Sequence, residues 1–276
     1  MPNNTDINKL LETAIIAAVE AGNKIMYFYE SGFETDLKAD QSPLTSADLA
    51  AHRIIADRLA STGLPLLSEE GADIDFETRR HWPAWWLVDP LDGTKEFINH
   101  NGEFTVNIAL MIDNAPVAGV IYLPVKSLLY FAVPGMGSFR LKVTEPLPFS
   151  TVLAELTAVS QKLPLHSETQ KVRVLASRSH GNAETDDFIN KLQLKHPGLS
   201  LQNAGSSYKF CLVAEGSATH YPRFGPTMEW DIAAGVAILL NAGGKACIWP
   251  EMTTLLFNKP DLTNPFFLAV GYGVEE

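Results

Sequence analysis

Cysteine is scarce in this 276-residue chain: there are two, Cys211 and Cys247, both in apolar surroundings. They read as small core residues, so no disulfide framework is expected and a reducing cytoplasm fits. No stretch reaches the roughly 18 uninterrupted apolar residues of a membrane span. The start, MPNNTDINKLLE, lacks a basic segment followed by an apolar one, so no secretory leader is expected. Basic charge is also short, with 21 Lys and Arg against 32 Asp and Glu and a net charge of −11. A general binder of nucleic-acid polymers would be basic, so that class is disfavoured. A small anionic substrate is not, because divalent cations can stand between it and carboxylates. At 46% hydrophobic and 19% charged residues, the chain can bury a sizeable core.

Over residues 6–30, apolar residues at helical spacing (Ile7, Leu10, Leu11, Ala14, Ile15, Ala18, Val19) predict a first helix, with Gly22 and Gly32 flanking its end. Ser46 is the expected N-cap of a second helix, SADLAAHRIIADRLA. FTVNIALMI, VAGVIYLPV and LLYFAV predict an antiparallel meander. Residues 142–170 lose this order and read as a linker or insertion. Strands VRVLAS, LSLQN and ATHYPR then alternate with helices, and WDIAAGVAILLNAGG closes on Gly243 and Gly244. The pattern is α/β in two lobes, divided here at 1–155 and 156–276.

The most informative stretch is WWLVDPLDGTKEF, residues 85–97. Its apolar start is a buried strand. Its end carries Asp89 and Asp92 beside Pro90 and Gly93, where a simple turn needs only one Asp. Glu69 ends another short strand, and Asp231 opens a helix in the second lobe, where taken alone it reads as an N-cap. Carboxylates at strand ends and a helix start can meet in one cleft. With no His or Cys beside them they suit hard cations such as Mg²⁺, and a pair of such ions can clamp a phosphate and a water. Gly93 permits close backbone approach, Thr94 can orient a water, and Asp48 can hold the Thr94 hydroxyl or take its proton. The three Trp residues 82, 85 and 86 are assigned to the first lobe's core, with no functional role.

LVDPLDGTKEF and WDIAAGVAILLNAGG resemble, in order, the two signatures of the lithium-sensitive, Mg²⁺-dependent phosphatases of the inositol monophosphatase family. SPLTSADLAAH, LLSEE, LDGTKEFINHNGEFTVNIAL, SRSH, GSSYKFCLVAEG and YPRFGPTMEWD are similar to its bacterial 3'(2'),5'-bisphosphate nucleotidase branch, the CysQ type. KEF follows the DGT here, where inositol monophosphatases usually carry TNF. Residues 142–170 are longer than the matching connection in the family.

The resemblance implies a layered α-β-α-β-α sandwich. It implies two or three Mg²⁺ held by Glu69, Asp89, the Leu91 carbonyl, Asp92 and Asp231. Asp48 and Thr94 would activate the attacking water, and the Gly93 and Thr94 amides would hold the scissile phosphate. The implied substrate is adenosine 3',5'-bisphosphate or its sulfated relative, in sulfur assimilation and nucleotide recycling. Lys209 and Arg223 are candidates for the second phosphate, and His180 and Ser206 for the adenine or ribose pocket. The implied enzyme is cytoplasmic, with contact at the inner membrane face and the choice between monomer and homodimer left open. The alternatives are an inositol or other sugar-phosphate phosphatase on the same fold, and a non-catalytic nucleotide or metal sensor.

Overall fold

The computed structural model describes residues 4–38, 43–144, 147, 151–166, 171–176 and 182–274. The larger sheet has seven strands, in the order Leu66–Ser68, Ala84–Asp92, Thr105–Ile112, Ala115–Leu123, Leu128–Val133, Gly137–Lys142 and Gln161–Lys162. Its first two strands are parallel and the rest antiparallel. A six-stranded mixed sheet runs Ser200–Asn203, Arg173–Ala176, His220–Arg223, Phe267–Val270, Lys245–Ile248 and Thr253–Thr254.

Strand periodicity sorts side chains between two cores. Trp86 and Val88 face outward and pack beneath the helices Asn4–Ser31 and Ser46–Ala60. Trp85 and Leu87 face inward, onto the helices Tyr208–Ala214 and Glu229–Asn241 between the sheets. The helix Ala183–Lys195 covers the far face of the second sheet through Phe188, Ile189 and Leu192. These are the five α-β-α-β-α layers expected. Among the described residues no helix is long and apolar enough to cross a membrane, and neither cysteine is in a disulfide.

Three local expectations change. The first helix spans Asn4–Ser31, in line with the expected 6–30, but Gly22 lies inside it rather than flanking its end. Gly22 lies mid-helix because a Cβ there would stand 2.4 Å from the Tyr122 ring, so the close approach to the sheet requires glycine. The cap of Ser46–Ala60 is Thr45 rather than Ser46. The segment read as a linker holds the helix Leu153–Val159, whose Leu153 N–H donates to Glu12 (2.7 Å), and the edge strand Gln161–Lys162. A lobe boundary at 155/156 would cut that helix, and a proposed boundary after Lys162 keeps both elements intact.

Candidate active site

The strand Ala84–Asp92 explains how two carboxylates three residues apart reach one place. In a regular strand, residues i and i+3 point to opposite faces. Here Asp89 pairs with Asn107 while Asp92 pairs with Thr105, so three steps on one strand oppose two on the other. This bulge restores Asp92 to the inward face, next to Asp89. Asp89 continues the inward row of Trp85 and Leu87. Its Oδ1 accepts from the Leu91 amide at 3.0 Å.

Glu69 follows the neighbouring parallel strand, and its amide donates to the Val88 carbonyl (3.1 Å), which sets it beside Asp89. Asp231 arrives from the layer between the sheets. It is the third residue of the helix Glu229–Asn241, not its N-cap, and its Oδ2 accepts from the Met228 amide at 2.8 Å. Ligand oxygens of Glu69, Asp89 and Asp231 lie within 4.8 Å of one another. Burial, reinforced by the neighbouring carboxylates, pushes Asp89 and Asp231 far above the usual carboxylate range. Glu69 is raised mainly by burial, against the pull of Lys38. Like charges gathered so closely out of water favour a cation among them, and an all-oxygen donor set fits a hard divalent ion. Lys38 Nζ already sits 2.7 Å from Glu69 and 2.5 Å from Glu70, one positive charge against this cluster.

Asp48 and Thr94 form the next layer. Asp48 is buried at the start of Ser46–Ala60, and its Oδ2 accepts from the Thr45 amide (2.8 Å) and hydroxyl (2.5 Å). Those bonds leave Oδ1 facing Thr94, whose hydroxyl donates to it at 3.2 Å. Burial raises the Asp48 proton affinity above that of an ordinary Asp. Gly93 takes a left-handed conformation, φ 92°, and starts the short helix Thr94–Ile98. Thr94 Oγ1 is also 3.4 Å from the Leu91 carbonyl.

Two adjoining cavities result. One, about 260 Å³, is lined by Glu69, Asp89, Leu91, Asp92, Gly93, Thr94 and Asp231 among others. The second, about 120 Å³, shares Asp92, Gly93, Glu96 and Asp231 and adds Ser206, Lys209, Tyr221 and Arg223. Lys209 is buried; its Nζ donates to the Ala204 carbonyl (3.1 Å) and lies 5.2 Å from the Tyr221 ring centroid. Burial pulls it down to about 8, partly opposed by Asp92. Ser206 has φ 42°, and its buried hydroxyl has no hydrogen-bond partner among the described residues. His180 lies outside the described residues.

Several site residues escaped the sequence reading. Asn107 and Ser207 contact Asp92, Tyr221 and Glu96 line the cavity beside Lys209, and Lys38 faces the acidic cluster. Asn107 left a signal: period-two alternation puts Thr105 and Asn107 on the inward face ahead of Ala109 and Met111. Lys38 left none, since its partners lie 31 and 32 residues away.

The sequence model of the inositol monophosphatase family matches residues 6–269. The chain belongs to that family. It is 40% identical to the 3'(2'),5'-bisphosphate nucleotidase CysQ of Salmonella typhimurium, over 95% of this chain and all of the relative. The Escherichia coli K12 protein of the same name is also 40% identical, over 94% and 98% of the two chains. Among solved structures, CysQ from Bacteroides thetaiotaomicron superposes with a TM-score of 0.89 at 47% identity, covering 97% of this chain and 98% of the other. SuhB from Bartonella henselae, at 23% identity and a TM-score of 0.73 over 95% and 94% of the chains, shares the fold.

Proposed function

We propose that this chain is a Mg²⁺-dependent 3'(2'),5'-bisphosphate nucleotidase, releasing phosphate and AMP from adenosine 3'(2'),5'-bisphosphate. The observation that carries this reading is the pair of adjoining cavities, one walled by carboxylates and one by Lys209 and Arg223. A substrate with two phosphates has a use for both; a monophosphate has a use for one. The similarity to named nucleotidases supports the same choice.

Glu69, Asp89, the Leu91 carbonyl, Asp92 and Asp231 are the proposed ion ligands. Bound there, two or three Mg²⁺ would polarise the phosphate and the attacking water and offset charge on the leaving oxygen. The chain's own groups do the rest. The Gly93 and Thr94 amides, at the start of a helix, orient the scissile phosphate. Thr94 Oγ1 takes a proton from the attacking water as it passes its own to Asp48 Oδ1. Burial raises the proton affinity of Asp48 and so makes it a better proton acceptor than an exposed Asp. The water oxygen bonds to phosphorus as the bond to the ribose oxygen breaks, that oxygen takes up a proton from solvent to become the hydroxyl of AMP, and no phosphorylated side chain forms. Lys209 and Arg223 grip the phosphate that stays, and the Ser206 hydroxyl meets a polar group of the nucleoside.

Arg223→Ala or Lys209→Ala is expected to cut kcat/KM for the bisphosphate roughly 10- to 150-fold, the worth of about 1.5–3 kcal/mol for a charged hydrogen bond. Most of the loss should fall in KM, because the second phosphate stays bound throughout. An adenosine 2'- or 3'-monophosphate should be affected far less. Equal losses on both substrates would refute the two-phosphate reading.

A pH dependence follows. With Lys209 lowered to about 8 in the free enzyme, it is cationic below that pH and neutral above it. kcat/KM for the bisphosphate should therefore fall as pH rises through about 8, while the monophosphate profile changes little. Lys209→Arg, whose guanidinium stays protonated, should remove the fall. A fall that persists unchanged in that variant assigns it to another group.

A further inference from the structure

We infer that Ser207 and Asn107 are positioning residues that hold Asp92 of the first lobe and Asp231 of the second in register to share ions. This rests on the reading of both carboxylates as ion ligands. Asp92 and Ser207 are 115 residues apart, yet the Ser207 amide donates to Asp92 Oδ2 at 2.6 Å. The Ser207 hydroxyl donates to the backbone carbonyl of Asp231. One residue thus binds the side chain of one ligand and the main chain of another.

Asn107 closes the network. Its Nδ2 lies 3.0 Å from Ser207 Oγ and 3.4 Å from Asp92 Oδ2. Its Oδ1 accepts from the Thr105 hydroxyl at 2.9 Å, which fixes the orientation of the amide. Thr105, Asn107 and Ser207 are all buried, so none of these bonds competes with bulk water. With two donors on Oδ2, the Asp92 carboxylate cannot rotate freely, and Oδ1 is left for an ion. Groups that orient a ligand in this way typically govern metal affinity by about 10–100-fold.

The geometry also locates the kink at Ser206. Its left-handed backbone comes just before Ser207, and Lys209 lies two residues beyond. The segment that carries the nucleotide-pocket residues is therefore anchored on the ion ligands themselves.

Binding of Mn²⁺ to the full-length protein without substrate, followed by the free-ion signal in electron paramagnetic resonance, tests this directly. Ser207→Ala and Asn107→Ala should each weaken binding by about 10-fold or more, within the range for outer-sphere partners. Ser138→Ala is the control. That hydroxyl is equally buried and donates to a carbonyl of the same helix, Ile238 at 2.6 Å, but away from the ligands. It should lower the melting temperature without changing Mn²⁺ affinity. Should Asn107→Ala fail to fold, Ser207→Ala, which keeps the amide on Asp92 but removes the hydroxyl tie to the Asp231 carbonyl, still tests the link between the two ligands. Asp92→Asn separates the two levels of the argument. If it weakens Mn²⁺ while Ser207→Ala binds like the unaltered protein, the positioning role is wrong and the ligand reading stands. If Asp92→Asn itself leaves affinity unchanged, both fall. An equal loss in Ser138→Ala would also overturn the inference, since the effect would then be general loosening of the fold.

Discussion

Asp92→Asn is expected to lower kcat by more than about 10³-fold, beyond the 10²–10³ typical of losing one positioned electrostatic contact. The variant keeps the shape of the side chain and removes no core volume, so its melting temperature should stay within a few degrees or rise. A rise has a physical basis: Asp92 contributes to the repulsion that raises both Asp89 and Asp231. Neutralising it relieves that repulsion while removing a ligand. Greater stability with lost turnover is the signature of a site that stores charge for an ion. Kinetics at saturating Mg²⁺ alongside thermal melts check it, and near-native kcat would remove Asp92 from the machinery.

Thr94→Ala and Asp48→Asn should each reduce kcat by about 10²–10⁴-fold, the usual contribution of a positioned proton acceptor, with little change in the Mg²⁺ concentration needed for half-maximal rate. The two side chains are joined by one 3.2 Å hydrogen bond and act as a unit. The double variant should therefore be scarcely worse than the poorer single one. Losses that multiply would mean that Thr94 and Asp48 work independently, and unchanged kcat in both would mean that the water is activated elsewhere. Asp48→Asn carries a second consequence. Thr45 donates both its amide and its hydroxyl to Asp48 Oδ2, so the Asn carbonyl oxygen should take that place and its amide nitrogen should face Thr94, where no proton acceptor then remains.

Sequence reached far into this site where the signals are local. Asp89, Asp92, Gly93 and Thr94 sit within six residues, and a strand that ends in two carboxylates stands out. The bulge that turns Asp92 inward could not be read, because it depends on the register against Thr105 and Asn107. Asp48 and Asp231 were legible as residues at helix starts, but their cap positions shifted. At both helices the third-position carboxylate accepts the amide of the residue before the helix, so the caps fall on Thr45 and Met228. That geometry spends one carboxylate oxygen on the helix and leaves the other for chemistry. The tie of Ser207 to Asp92 spans 115 residues and leaves no local trace. The helix Leu153–Val159 was unreadable for a similar reason: it is short, and it docks through Glu12 and the core around Asn4–Ser31.

The most direct test of the account is phosphate release by the purified protein from adenosine 3',5'-bisphosphate and from inositol 1-phosphate, assayed in parallel with and without Mg²⁺. The account predicts release that requires Mg²⁺, with kcat/KM for the bisphosphate at least roughly tenfold higher, the lower bound set by one charged contact to its second phosphate. Equal or greater efficiency on inositol 1-phosphate, or no release from the bisphosphate, would contradict it.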